Sequence, residues 1–255
     1  MEQNLPTILV VNDDGITATG IKTLIDIVST LGRVVVVAPD SPQSAMGHAI
    51  TISKPLRLDK LDLYEGIEMY QCSGTPVDCV KLAVNKVLHR KPDLCVSGIN
   101  HGLNNSINVL YSGTMSAAME GAIEGIPSIG FSLDDHSPSA NFSQCTPFVK
   151  EICLQVLKNG LPAGVLLNVN FPNTTIKGIK ICRQAKAKWK EEFDERIDPN
   201  KRPYYWLTGE FQLFDEGTDT DVYALRNEYA SLVPVQFDLT AHHALAGLNN
   251  WKFNV

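Results

Sequence analysis

Two short apolar segments rich in β-branched residues, residues 7–11 and 33–38, lie close together near the start of the chain. Each ends in a turn sequence, Asn-Asp-Asp-Gly after the first and Pro-Asp after the second, so each is predicted to be a buried strand. Apolar residues recur at helical spacing over residues 21–28, and Gly32 marks the end of that helix. A strand, a helix and a second strand in this order form a βαβ unit, whose parallel strands are covered on both faces.

The same alternation of apolar strand and amphipathic helix continues to about residue 173. Residues 41–74 are richer in turns and alternating strand. After them, helices are predicted at residues 75–88, 114–124 and 148–157, and core strands at 93–97, 127–133 and 165–170. The pattern is typical of an α/β fold, a Rossmann-like doubly wound and mostly parallel sheet.

The character of the sequence changes after residue 176, where alternating residues predict antiparallel strands joined by a turn that contains Pro and Asn. A short helix at residues 219–227 and a strand at 231–237 follow. We therefore expect an α/β core over residues 1–175 and a β-rich and helical C-terminal extension over residues 176–255, both in one compact unit. Residues 188–211 mix aromatic and charged side chains, and we expect them to form a β-hairpin arm for oligomerisation.

Charge and apolar patterning exclude two classes of partner. The formal net charge is −6 and no basic stripe is visible, which argues against a nucleic-acid polymer. No apolar run approaches the ~20 residues of a membrane span. The six cysteines include no CxxC pair, so we expect buried free thiols. Such cysteines suit a reducing compartment, and we expect a soluble, cytoplasmic protein.

Two adjacent acids, Asp13 and Asp14, directly follow the first predicted strand, and Ser44 follows the second. In open α/β sheets, ligands bind outside the carboxyl ends of the strands. Adjacent carboxylates repel each other unless a cation lies between them or their pKa values rise. Hard divalent ions prefer such oxygen ligands. The segment is equally open to a structural interpretation, because Asn, Asp and Gly form turns and an Asp can cap the next helix.

Two further polar segments lie at the same predicted edge of the sheet. Asn100 and Asn104 follow the third core strand and offer neutral oxygen ligands and amide donors. Ser112, Gly113 and Thr114 open a helix, and unpaired N–H groups at a helix N-terminus suit an anion. By themselves these segments are better explained by a turn and a helix cap. Together with the acids they predict an oxygen-lined cation site beside an anion site, as metal-assisted phosphoryl hydrolysis requires.

Several longer segments resemble the stationary-phase survival protein SurE family of 5′/3′-nucleotidases. They are NDDGI, VVAPDSPQSAMGHAIT, SGTPVDCVKLA, SGINHGLN and YSGTMSAAMEGAIEGIPSIGFSL, with TDTDVYAL and PVQFDLTAH later in the chain. The resemblance spans nearly the whole chain in the same order. It implies hydrolysis of nucleoside 5′- or 3′-monophosphates to nucleoside and phosphate, with a polyphosphatase side activity. It also implies one Mg²⁺ or Mn²⁺ per subunit, and homodimers or homotetramers with exchanged C-terminal elements.

The resemblance also implies a role for individual residues. The positions that match the family's metal ligands are Asp13, Asp14, Ser44 and Asn100. The positions that match its phosphate contacts are Asn104, Ser112, Gly113 and Thr114. Asp13 and Asp14 are the predicted catalytic residues, with Asp13 nearest the attacking water. Ser106 and Asn108 depart from the family pattern, which commonly has a glycine and then an aspartate there, so one negative charge is lost beside the phosphate loop.

Two other functions fit part of the same pattern. Asp13 could act as a covalent nucleophile, as in haloacid-dehalogenase-type phosphatases. That family has a second acid two residues on and then a threonine, and the DDGI segment lacks both. Alternatively, the protein could be a non-catalytic nucleotide or phosphate sensor. The Asp13–Asp14 pair argues against a sensor, since sensing needs no activated water.

Overall fold

The computed structural model describes residues 5–253 of the chain, and these form a layered α/β structure around one large sheet. The strands of the described chain are β1 (Thr7–Val11), β2 (Arg33–Pro39), β3 (Leu58–Leu61), β4 (Glu68–Cys72), β5 (Leu94–His101), β6 (Ser128–Leu133), β7 (Val165–Phe171), β8 (Ile179–Ile181), β9 (Ala187–Lys190), β10 (Phe193–Ile197), β11 (Pro203–Leu207), β12 (Glu210–Leu213) and β13 (Ala230–Gln236). Its α-helices are α1 (Thr19–Val28), α2 (Pro76–Leu82), α3 (Gly113–Ile123), α4 (Thr146–Asn159), α5 (Asp221–Arg226) and α6 (His242–Leu248). A π-helical segment (Ala83–Leu88) continues α2, and 3₁₀ turns (Ser106–Tyr111 and Phe142–Cys145) precede α3 and α4.

The central sheet has nine strands in the order β3-β4-β2-β1-β5-β6-β7-β13-β8. The six strands from β4 to β7 are parallel to one another, whereas β3 is antiparallel to β4 and β13 is antiparallel to β7. This mixed, mostly parallel sheet with flanking helices confirms the predicted fold class. The strand order turns between β1 and β5, where a ligand crevice is expected in this type of fold.

Alternate residues of the central strands face opposite layers of helices, which explains why these strands are apolar throughout. Ile8 and Val10 of β1 pack in the same buried cluster as residues of α1 and α4. Leu9 and Val11 pack with residues of α2 and α3 on the other face. The six cysteines are buried free thiols, as the sequence predicted. Within the described residues, no helix is long and apolar enough to cross a membrane.

The C-terminal part of the chain contributes to the large sheet and also projects from it. β13 pairs with β7, and β8 pairs with β13. β9 and β12 pair with each other, and beyond them β10 and β11 form the outer hairpin of the arm. All five residues of β11 are exposed. The division into a core and an extension at residue 175 remains a prediction.

Candidate active site

The loops after β1, β2 and β5 meet at the carboxyl edge of the sheet, where the sequence placed the two acids. Asp13 is buried, with 4% of its surface exposed. The backbone N–H of Gln43, in the loop after β2, donates to the backbone oxygen of Asp13 over 2.7 Å. The backbone N–H of His101, at the end of β5, donates to Asp14 Oδ2 over 3.2 Å. The residue before His101 is Asn100 and the residue after Gln43 is Ser44, so all four predicted metal ligands belong to this junction.

Asp13 lies against the N-terminus of α3. The hydroxyl of Thr114 donates to Asp13 Oδ1 over 2.5 Å. Residue 113 must be glycine for this approach, because a β-carbon there would lie 2.7 Å from the Asp13 β-carbon. Burial raises the pKa of Asp13 to about 6, and the hydrogen bond from Thr114 opposes that rise. The fold therefore holds a carboxylate in a place where its charge is only partly compensated.

Asp14 is less buried than Asp13, and histidines surround it. Burial also raises the pKa of Asp14, while the backbone N–H of His101 and the charges of His101 and His136 oppose the rise. His101 is fixed by an edge-to-face contact with Phe142, with ring centroids 5.0 Å apart. His136 was not among the predicted site residues. It lies in a loop after β6, and nothing in its local sequence marks it as close to Asp14.

Asn100 is oriented by its own loop. Its side-chain N–H group donates to the backbone oxygens of His101 and Gly102, over 3.1 and 2.8 Å. These two bonds leave the amide oxygen as the atom that can bind a cation. The pairing of β5 with β6 shifts in register between Ser97 and Asn100, and such irregularities re-aim side chains. Gly98, inside this shift, has φ +125°, which favours glycine.

Ser44 is exposed in a loop that is tied down at several other points. Gly47 donates its N–H to the Tyr111 carbonyl oxygen over 3.3 Å, next to the start of α3. His48 Nε2 lies 3.0 Å from Glu120 Oε2. Glu120 is a buried residue of α3 that also forms an ion pair with Lys81. The loop that carries Ser44 is thus attached to the helix whose N-terminus holds Asp13.

The donor set fits a hard divalent cation. The charged donors predicted here are the carboxylates of Asp13 and Asp14, and the predicted neutral donors are oxygens of Ser44 and Asn100, which is the type of set that Mg²⁺ and Mn²⁺ prefer. Asn12 Oδ1, one residue before Asp13, is also buried and has no hydrogen-bond partner in the described part of the chain. Among residues 5–253, no group of three or more His, Cys, Asp or Glu side chains could hold a metal.

The start of α3 provides groups for an anion beside the acids. Ser112 caps the helix, since its Oγ accepts from the N–H of Met115 over 3.0 Å. This leaves the Ser112 hydroxyl proton available for another acceptor. The hydroxyl of Thr114, in contrast, is committed to Asp13. The Thr114 hydroxyl is thus bonded to the acid pair, whereas the Ser112 hydroxyl is not. The binding of phosphate by either hydroxyl stays a prediction.

Asn104 is held by a buried network of amides and a hydroxyl. Its backbone N–H donates to Asn170 Oδ1, and its side chain donates to Ser132 Oγ, each over 2.8 Å. Asn168 donates to the backbone oxygen of Asn104, also over 2.8 Å. Asn168 and Asn170 were missed from the sequence, although two asparagines at period two in an otherwise apolar strand are a usable signal.

The two departures from the family pattern both bind the C-terminal extension. Ser106 has φ +51°, its N–H donates to Asp221 Oδ2 over 2.7 Å, and its hydroxyl donates to the Ala185 carbonyl over 2.8 Å. Asn108 Oδ1 accepts from the Trp189 indole N–H over 2.9 Å. These contacts attach the loop between Asn104 and Ser112 to the extension.

Comparison with known proteins adds a family assignment to this geometry. The sequence model described as Survival protein SurE matches residues 8–191. A protein named 5′-nucleotidase SurE from Flavobacterium psychrophilum is 62% identical over 253 residues, which is 98% of either chain. Another protein of that name, from Christiangramia forsetii, is 61% identical over the full length of both chains. The crystal structure of the SurE protein from Aquifex aeolicus matches with a TM-score of 0.83 and 41% identity, covering 96% of this chain and 98% of that one.

Proposed function

Because the chain belongs to the Survival protein SurE family and is a 5′-nucleotidase, a phosphoric monoester hydrolase, we propose that it hydrolyses nucleoside 5′- or 3′-monophosphates to nucleoside and phosphate. We place the enzyme in the cytoplasm, where its buried free thiols are stable. The observation that carries the proposal is the burial of Asp13 beside Asp14 at the N-terminus of α3. Two acids that lie beside the N-terminus of a helix suit a cation and a phosphate together.

One divalent cation per subunit, Mg²⁺ or Mn²⁺, would be held by Asp13, Asp14, Ser44 and Asn100. When bound, the ion supplies Lewis-acid polarisation of the phosphoryl group and neutralises its charge. One oxygen of each carboxylate is already committed, to Thr114 in Asp13 and to the His101 N–H in Asp14. Each acid thus keeps a fixed orientation and one oxygen for the ion.

The phosphoryl group would be bound by the residues at the start of α3 and by Asn104. The Ser112 hydroxyl and the first-turn N–H groups donate to phosphate oxygens, and their direction is set before substrate binds. Gly113 has no side chain, which leaves room for Asp13 beside this turn. Asn104, fixed through Ser132 and Asn170, orients the loop that leads into this turn.

The proton of the attacking water would pass to one of the two acids. Asp13 is the acid that we expect to lie nearest the attacking water, and Asp14 is the more exposed of the two. In each acid a neighbouring donor fixes one carboxylate oxygen, and a lone pair on the other oxygen would accept the proton. A polyphosphatase side activity would use the same phosphate-binding groups without a nucleoside.

Phosphate release from 5′-AMP and 3′-AMP tests this function. We expect hydrolysis in the presence of Mg²⁺ or Mn²⁺, reversible loss of activity with EDTA, and slower release of phosphate from short-chain polyphosphate. Asp13→Asn and Asp14→Asn should each reduce turnover by at least ~100-fold, since each removes charge from the ligand set. Asp26→Asn, on the exposed face of α1, is the matched control and should leave turnover unchanged. Near-normal turnover in both active-site variants at saturating Mn²⁺, or full activity in metal-free protein, would refute the assignment.

A further inference from the structure

A cleft of about 530 Å³ lies beside the proposed phosphate site, between the α/β part of the chain and the C-terminal extension. Leu103, Asn105 and Asn108 line one side of it, and Trp189 and Phe211 line another. Its volume falls in the range of small-molecule sites, roughly 300–1,000 Å³. Neither the phosphate nor the cation of the proposed function requires this space.

The cleft is lined by both sequence neighbours of Asn104, a residue of the predicted phosphate site. Leu103 and Asn105 flank Asn104, which the proposed function places on the phosphate. His136 also lines the cleft, and it packs so closely on the catalytic loop that a β-carbon at Gly102 would lie 2.1 Å from His136 Cε1. His136 is also one of the two histidines that lie near Asp14. A phosphate ester bound at the acids would therefore direct its organic part into the cleft.

The lining of the cleft suits a flat aromatic group with a polar sugar. Trp189 of β9 and Phe211 of β12 are directly paired across their two strands, and their rings meet edge to face with centroids 5.7 Å apart. The Trp189 indole N–H is fixed by Asn108 over 2.9 Å, so the aromatic wall is held in place before a ligand binds. Asp134, an exposed acid on the same cleft, can accept hydrogen bonds from sugar hydroxyls.

We propose that this cleft is the nucleoside subsite of the enzyme, in which the base packs on Trp189 and Phe211 and the ribose hydroxyls donate to Asp134. The inference rests on the proposed function, because it takes the phosphate position from it. The proposal gives the C-terminal extension a role besides oligomerisation, since residues of β9 and β12 would determine substrate specificity. Purine nucleotides should be preferred over pyrimidine nucleotides, because the larger base covers more of the aromatic wall.

Substrate discrimination is the first test. The measured quantity is the ratio of kcat/KM for AMP to kcat/KM for glycerol 2-phosphate, which has a phosphate but no base. We expect Trp189→Ala to lower this ratio about 10-fold or more, and Phe211→Ala to lower it as well. Trp189→Phe retains a stacking ring but loses the bond to Asn108, and it should largely restore the ratio.

Loss of activity alone does not support the subsite, because Trp189 also holds the loop that carries Asn108. If Trp189→Ala slows both substrates equally, Trp189 acts only through that loop and the proposal is overturned. Asn108→Ala removes the same hydrogen bond and keeps the ring, so it should retain the wild-type ratio. A ratio that falls as far in Asn108→Ala as in Trp189→Ala would also overturn it.

Binding of adenosine tests the subsite independently of turnover. In the double variant Trp206→Phe/Trp251→Phe, Trp189 is the one remaining tryptophan of the three in the chain. Adenosine should quench its fluorescence saturably in the presence of Mg²⁺, whereas ribose should not. The single variant Trp189→Phe should show no saturable change. A titration without quenching up to the solubility of adenosine overturns the subsite even if AMP is hydrolysed. Quenching without hydrolysis of any phosphate ester would leave the subsite standing and refute the proposed function.

Discussion

Asp13 is a buried carboxylate whose hydrogen bonds do not offset its loss of solvation. Thr114 donates one hydrogen bond to it, but desolvation is the larger effect, and its pKa rises from the ordinary value of 3.8 to about 6. A raised pKa means that folding favours the protonated form. At neutral pH the metal-free protein must therefore ionise this group at a cost in stability, and a cation bound at Asp13 would remove that cost.

The first prediction is that Asp13→Asn stabilises the metal-free protein. The contribution of Asp13 to stability is fully present below the unfolded pKa near 3.8 and is lost as the pH rises through the folded pKa near 6. Such a shift corresponds to a loss on the order of 3 kcal/mol at neutral pH. The amide introduced by this substitution has nearly the same shape as the carboxylate and carries no charge, so the variant should unfold at higher urea concentration in EDTA at pH above 7. The difference in stability between Asp13→Asn and the wild type should shrink as the pH approaches 4.

In saturating Mn²⁺ the wild type should instead be more stable than Asp13→Asn, since a ligand that binds only the folded state stabilises the wild type more than a variant with a weakened site. Asp26→Asn provides the baseline for removal of an exposed acid. An Asp13→Asn protein that is less stable than wild type in EDTA at every pH would show that the Asp13 carboxylate is adequately compensated without a metal.

Some features of the site could be predicted from the sequence, and contacts between residues distant in sequence could not. The loops after the strands could be located because strand ends and turn formers are local signals. The partner of Thr114 could not, because Asp13 is distant in sequence and only the fold brings the two together. The same applies to His136 beside Asp14 and to Trp189 beside Asn108. The polar side chains of the candidate site could thus be located from the sequence, whereas the groups that orient them could not.

At the level of elements, the buried strands were the most predictable part of the fold. β1 has the predicted bounds and β7 extends one residue beyond the prediction, because apolar β-branched runs are distinctive when both faces of a sheet are covered. β5 is longer than predicted, since it continues past the register shift at Gly98 into Asn100 and His101, whose composition is typical of a loop. α6 was missed because none of its residues is buried, so it has no apolar periodicity that follows from packing.

The second prediction concerns Asp221, which connects elements across the C-terminal junction. Its carboxylate accepts from the N–H groups of Ser106 over 2.7 Å, Ala185 over 3.0 Å and Val222 over 2.8 Å, and only 1% of its surface is exposed. Asp221→Ala would leave these buried donors without their acceptor. We expect a loss of roughly 2–5 kcal/mol in the free energy of unfolding, measured by urea denaturation.

Asp219→Ala is the matched control for this change. Asp219 is two residues away and pairs with Arg183, but 65% of its side chain is exposed, so its removal should cost less than about 1 kcal/mol. Equal losses in the two variants would mean that Asp221 is not the connection between the phosphate-loop segment and the extension. Asp221→Asn keeps one side-chain acceptor and should be intermediate.

For the whole molecule, two apolar surfaces of the extension are exposed in a single chain. Phe193, Tyr205, Trp206 and Leu207 of the outer hairpin are more than half exposed. A second exposed group lies in and after α6 and includes Leu245, Leu248, Trp251 and Phe253. An isolated two-stranded hairpin is marginal in water, and aromatic clusters of this kind are typical of interface cores. We propose that a second copy of the chain covers each surface, giving the predicted homodimer or homotetramer.

The pairing of β9 with β12 defines which residues of the arm can be deleted in a test of this proposal. Lys190 and Glu210 are paired at the outer end of β9 and β12, so residues 191–209 can be replaced by an Asn-Gly turn that joins the two strands directly. The change removes β10 and β11 but keeps Trp189 and Phe211, and with them the proposed nucleoside cleft. Replacement of the whole of residues 188–211 would remove both the arm and the cleft and could not separate their roles.

The third prediction is that the arm and the C-terminal tail form separate interfaces. Light scattering should give a mass of two or four chains for the intact protein at micromolar concentration. If both surfaces are used, the arm-shortened variant and a variant that ends at residue 237 should each lose one interface, so that a tetramer becomes a dimer. Combining the changes should give a monomer that keeps the α/β core, as judged by circular dichroism. A monomeric intact protein, or an arm-shortened variant with the same number of chains per particle, would show that the arm is not an assembly element.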